Sequence, residues 1–397
     1  MKFLSFIIIF SFVLSGLKAQ NITEIDLTQA TFGEIPANKI FENIKYVPLE
    51  TNKDALFDKR SALYLTDKYV IPVVKYFTTS AYLFDRETGV FIRKVSSFGQ
   101  GPNDYSGGIY DRYGFDEKNN ILFTNYLRSE KLWESINIET NNVESLLKKP
   151  FSDNNNESFI KGAINAPWHI KDNIYISYCN NITGKDKVRL IVYNTDGNII
   201  KKYPNYLEYK KEQTSRPSNN GIFYYYKECT YFKELVYNDT VFCVDENNMS
   251  PHIIFKLGDK QPSYYHQENL DSRKGKYCIT FVCESDSFVL FNFVYYIETS
   301  SDFANAKASI HTGYYDKKSK QAYISSTPDL KQSGYVLGDI PIRLYPIYVN
   351  KSNEMVAIID PEELFYIKDK IDSKYKHLFE NIQEDDNPIL VIAKLKD

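Results

Sequence analysis

The chain has 397 residues, with 48 Lys and Arg against 51 Asp and Glu and a formal net charge of −3 with histidine neutral. That balance excludes the strongly basic face on which nucleic-acid binding depends. With 43% apolar residues, 33 Tyr and 26 Phe, it also excludes a disordered chain and suits strands with half-buried faces.

Met1 and Lys2 precede an apolar run over residues 3–17, closed by Lys18, Ala19 and Gln20. This run is too short to span a bilayer comfortably and lies where a secretory leader belongs. Residues 1–19 are therefore expected to be a signal peptide and 20–397 a single domain. Leu17 stands where a lipoprotein would carry Cys, so a lipid anchor is disfavoured. No later stretch reaches the roughly eighteen apolar residues of a transmembrane helix. The expected product is soluble and exported, periplasmic or extracellular.

Residues 44–50 read as a strand, in which Pro48 suits an outer edge because no backbone donor is needed there. The first clear hairpin covers residues 81–95. An aromatic, apolar strand ends at Asp85, turns through polar residues to Gly89 and returns as a second strand. Residues 188–202 repeat it with Asn194 and Gly197, and looser copies centre on Asn137, Asp245 and Asp316. The successive spacings are 52, 57, 51 and 71 residues. A period of about fifty residues carried by hairpins marks a β-propeller, each blade being one four-stranded sheet.

Blades are expected over 61–96, from 109, over 159–203, 221–257 and 276–325, and from 336, with an insertion near 300–306 in the fifth. Asp360 as N-cap and Pro361 at the first helical position start one helix before the last strand. Leu364, Ile367, Ile371, Tyr375, Leu378 and Ile382 then share one face, at spacings of 3, 4, 4, 3 and 4. The final strand, 388–394, should pair with 44–50 in one blade, because an open ring would leave an exposed sheet edge. The fold expected is thus all-β, a six-bladed propeller closed by its N- and C-terminal strands.

The chain has no G-x-S-x-G elbow, no H-E-x-x-H and no phosphate-binding loop. His169, His252, His266, His311 and His377 are scattered and read as ordinary surface or core residues. The acidic runs 116–120 and 245–248 lack the central Gly and the twelfth-position Glu of a calcium loop, and read as hairpin turns. Cys179, Cys229, Cys243, Cys278 and Cys283 lack zinc-ligand spacing. Cys229 with Cys243 is a possible pair, and buried unpaired thiols are the favoured reading. The aromatic runs 224–226, 264–265, 295–296 and 314–315 are assigned mainly to packing between blades, with a sugar- or peptide-binding face as the alternative.

Residues 91–95, followed by Gly99, Gln100, Gly101, Pro102, Asp104 and Tyr105, resemble the blade junction of NHL-like propellers. With residues 44–51, 238–242 and 387–391 they resemble more closely the six-bladed β-propeller family of exported proteins in Gram-negative anaerobes. The resemblance implies a scaffold and carries over no catalytic residue, metal ligand or cofactor. The expectation is an exported, non-catalytic propeller binding an unknown glycan, peptide or protein at one mouth of the ring. The alternative is a metal-dependent hydrolase or lyase of the gluconolactonase-like type.

Overall fold

The computed structural model describes residues 22–59, 61–74, 80–98, 104–105, 113–125, 132–150, 164–211, 221–299, 307–326 and 333–397. The expected leader and the insertion near 300–306 lie outside the described residues.

Six sheets of four or five strands follow one another along the chain. Blades one to five span 62–105, 114–148, 168–204, 221–256 and 277–325, and blade six spans 348–395. The first four strands of blades one to five pair in antiparallel succession. The buried apolar side chains form six clusters, each between two neighbouring blades. Phe115 and Leu122 of blade two, for example, pack with Ile71 and Leu83 of blade one. Val356 and Leu390 of blade six pack with Val70 and Phe84 of blade one, closing the ring. The molecule is a six-bladed propeller, and its core is itself a ring.

The fifty-residue period has one local cause. Each repeated Asp or Asn ends the third strand of its blade and caps the turn to the fourth. Asp85 Oδ1 accepts from the backbone N–H of Glu87 and Thr88 at 3.0 and 2.8 Å. Asn137, Asn194, Asp245 and Asp316 do the same to residues two and three or four beyond themselves. These side chains mimic a backbone turn. Gly89 and Gly197 then adopt φ of +73° and +79°, and a Cβ on either would strike a carbonyl oxygen of the preceding blade, Pro48 or Lys149. Only glycine combines that backbone with that proximity.

Blade six is built from both ends of the chain. Phe41–Pro48 pairs antiparallel with Ile389–Leu395, matching Pro48 to Ile389 and Tyr46 to Val391. This is the expected closure, with Pro48 in the outermost strand. The N-terminal segment does more than expected. Thr23–Asp26 adds in parallel to the outer strand of blade four, and Thr31–Gly33 to that of blade five. Ile25 and Leu27 are buried in the cluster between those blades.

A helix precedes the last strand, as expected, and two details differ. The apolar stripe before the last strand is two short helices, Pro361–Phe365 and Ser373–Phe379, separated by a 3-10 turn, Lys368–Lys370. Ile371 is extended, and Asp372 starts the second helix by accepting from Lys374 N at 2.9 Å. The stripe still covers the rim, because Leu364, Ile371 and Phe379 are buried between blades five and six. Blade six starts at Tyr348–Val349, later than expected; Tyr335–Val336 pairs instead with Arg343–Leu344 in a separate small sheet.

Candidate functional site

First strands of neighbouring blades touch one another, which places them around the axis. The turns that follow them therefore meet at one mouth of the ring. Turns of blades six, one and two enclose a cavity of about 210 Å³ there, lined by residues 65–68, 117, 118, 120, 139 and 350–352. Two positions back on the same three strands, Tyr64 packs against Phe115 and Tyr348, with ring centroids 5.2 and 5.6 Å apart. An aromatic layer thus backs a polar mouth.

Glu117 is a buried carboxyl of this mouth. Asp116 makes the turn, accepting from Lys118 N and Asn119 N at 3.0 and 3.1 Å and from the Asn119 amide at 2.8 Å. Glu117, the residue after it, is 7% exposed. Its Oε2 accepts from Lys351 N at 2.8 Å, a bond from blade six to blade two that passes over blade one. Burial pushes the Glu117 carboxyl up to about 8; the Lys351 N–H and ammonium oppose the shift, and Asp116 and Asp67 add to it. At neutral pH it is protonated and can donate a hydrogen bond. Blade four faces the same pair: burial, then the charges of Asp116 and Glu117, raise the Tyr225 hydroxyl. That hydroxyl donates to His169 O at 2.6 Å.

The rest of the lining mixes signs. Lys68, Lys118 and Lys351 stand with Asp67 and Glu139 around Glu117, and Lys68 lies 3.6 Å from Glu139. Leu65 is the one apolar residue among the described residues lining the cavity. Such a lining can hold a polar ligand by hydrogen bonds.

The same face carries an ion-pair latch between blades one and six and a second ion pair within blade five. Arg86, next to the turn residue Asp85, bonds both carboxylate oxygens of Glu354 in blade six and the Thr66 carbonyl. Lys317, next to Asp316, bonds Glu284 at 2.6 Å, and Glu284 also meets His252 Nε2 at 2.8 Å. Both cations follow the capping Asx and reach an acid, so they read as structural fastenings. Between blades three and four, buried Glu234 accepts from Tyr178 at 3.0 Å and lies 3.7 Å from Arg189.

The residues singled out by sequence are dispersed over the ring. His169 and His311 are buried, and His252 pairs with Glu284. The five histidines do not converge, and no group of three or more His, Cys, Asp or Glu able to hold a metal ion occurs among the described residues. No disulfide joins any of the five cysteines. Tyr224, Tyr314 and Tyr315 are core residues, in keeping with the packing reading, while Tyr265 is exposed. Asp116 and Asp245 are hairpin caps, as expected. Glu117 was not singled out, since nothing in one sequence distinguishes it from the other polar residues of its turn.

A family model described as a domain of unknown function, DUF4934, matches residues 22–394. The chain belongs to the DUF4934 family. Among solved structures this DUF4934 chain is similar to a candidate exported protein of Bacteroides fragilis, with a TM-score of 0.65 and 16% identity over 95% of this chain and 100% of that one. It is more distantly similar to the WD40 domain of Neurospora crassa Pan2, with a TM-score of 0.39 and 9% identity over 92% and 98%. No curated protein matches it. The first of these likenesses supports the propeller fold of DUF4934 and does not extend to function. No helix among its described residues is long and apolar enough to cross a membrane.

Proposed function

We propose that the protein is an exported, non-catalytic binding propeller whose ligand sits in the axial cavity at the turn face. The observation that carries this reading is the polar cavity formed by three blades around the buried carboxyl of Glu117. Concave sites with a few convergent polar groups are the usual form of a small-ligand site. The leader-like segment over residues 1–19 supports export, as does the description of the similar Bacteroides fragilis protein.

The test is a thermal-shift screen of the chain from residue 20 against glycans, peptides and divalent metals, followed by analysis of any product formed. Stabilisation by a glycan or peptide that emerges unchanged, and is lost in Ser352→Trp, supports the reading. Ser352 is an exposed turn residue of the lining, so this substitution fills the mouth without disturbing the core. Stabilisation by Ca²⁺ or Zn²⁺ with hydrolysis of a lactone or ester would replace it with the enzyme alternative. A ligand that binds Ser352→Trp equally well would move the site elsewhere.

A further inference from the structure

We propose that the axial cavity takes an uncharged, hydroxyl-bearing group no larger than a single sugar ring, and that the buried Glu117 carboxyl is its specificity-determining hydrogen-bonding group. This rests on the axial binding reading above and adds the ligand class to it.

Size limits the occupant first. Cavities for drug-sized ligands run to roughly 300–1,000 Å³, and this one is about 210 Å³. Polarity limits it next. With Leu65 the one apolar residue among the described residues of the lining, no surface there rewards an aliphatic or aromatic group, and the aromatic layer of Tyr64, Phe115 and Tyr348 lies behind the turns. Charge is the third limit. Lysines and carboxyl groups alternate around the mouth, and Asp67, Lys68, Lys118 and Lys351 are exposed, so water and salt weaken any field that would select an ion. What remains is short-range hydrogen bonding of both senses, with lysine donors beside carboxylate acceptors. A hydroxyl group both donates and accepts, so a ring of hydroxyls satisfies such a lining.

Glu117 differs from the other lining carboxyls in being buried and fixed. Lys351 N occupies its Oε2, and desolvation keeps the group protonated at neutral pH. A neutral carboxyl in a desolvated place offers one directed donor, and a site built around such a group rejects ligands that leave it unpaired.

The test is ligand-observed saturation-transfer NMR with D-glucose, D-galactose, N-acetyl-D-glucosamine and L-fucose, and with acetate and D-glucuronate as charged counterparts. One or more neutral sugars should bind the wild-type chain. Glu117→Gln keeps a neutral donor and should stay within about threefold of it, whereas Glu117→Ala should lose about tenfold, with melting curves confirming that both fold. Ser352→Trp should abolish the signal. Unchanged affinity in Glu117→Ala, or no neutral sugar bound at all, overturns the inference. Binding of acetate or D-glucuronate alone, still blocked by Ser352→Trp, overturns the ligand class but leaves the axial reading intact. Sugar binding that survives Ser352→Trp overturns both.

Discussion

Blade six and blades four and five are all finished by the N-terminal segment, but in different ways. Blade six receives Phe41–Pro48 as its fourth strand, antiparallel, an eight-residue strand whose ladder is broken only by a bulge opposite Ile392 to Lys394. Blades four and five already have four strands from their own stretch of chain. Each gains a short parallel strand outside them, four residues at Thr23–Asp26 and three at Thr31–Gly33. The first arrangement supplies a missing part of the ring; the second covers edges that would otherwise face solvent. Closure and strapping should therefore respond to damage on different scales.

The largest effect is expected where closure is cut. Deleting residues 385–397 removes the strand that holds Phe41–Pro48 in place and opens the clusters on both sides of blade six. Cooperative unfolding followed by circular dichroism should disappear at room temperature, and a truncated chain with the full melting temperature would break the distinction. Deleting residues 22–33 should instead cost about 3 kcal/mol in urea unfolding, mainly from losing the buried side chains of Ile25 and Leu27, while the transition stays cooperative.

A smaller loss should follow Asn387→Ala at the entry to the last strand. Its amide donates to Glu50 O and Ala55 O, both at 2.9 Å, and its Oδ1 accepts from Phe57 N at 3.1 Å. Those bonds tie the two ends of the chain together, and about 2 kcal/mol is expected to go with them, read by denaturant midpoint. If it costs no more than a surface substitution, the ends are held by the ladder alone.

The remaining effects concern titration, at positions away from either device. Glu117 has a folded pKa of about 8, above its ordinary value, so the folded state binds more protons between the two values. Stability should then fall as pH rises from about 5 to 8, and Glu117→Gln should flatten that slope. His311, buried against Phe293, is held down to about 4 by desolvation. Its contribution has the opposite sign, since stability is lost as pH falls from about 6.5 toward 4, and His311→Gln should reduce that acid loss. Melting temperatures measured across pH for both variants decide each sign.

The parts of this fold that were legible in the sequence are those with a local cause. Asp85, Asn137, Asn194, Asp245 and Asp316 announce blades because a short acceptor side chain makes the same turn wherever it occurs. Closure was legible too, since strands at 44–50 and 388–394 each lacked a partner. The straps were not. Thr23–Asp26 pairs with Ile253 to Lys256 across more than two hundred positions, with too few residues to show a period. The helical stripe was half legible: its spacing identified the buried residues, but the extended backbone at Ile371 and the second cap at Asp372 divided the helix. The site was the least legible. Glu117 owes its burial to Lys351 arriving from the far end of the chain, and no neighbour in sequence records that arrival.

The pairing of Phe41–Pro48 with Ile389–Leu395 also sets a clock. A ribosome releases the first of these strands more than three hundred residues before the second, so through that stretch of translation the earlier strand has nowhere to go. Blades one, two and three need no later sequence for their own ladders and can form in order of emergence. The straps must wait for residues 249–256 and 321–325, and the ring must wait for Ile389–Leu395. Contacts of such long sequence separation are slow to form. A chain halted anywhere before Ile389–Leu395 is therefore a row of blades with an unfinished edge, and the ring closes only once that strand has emerged.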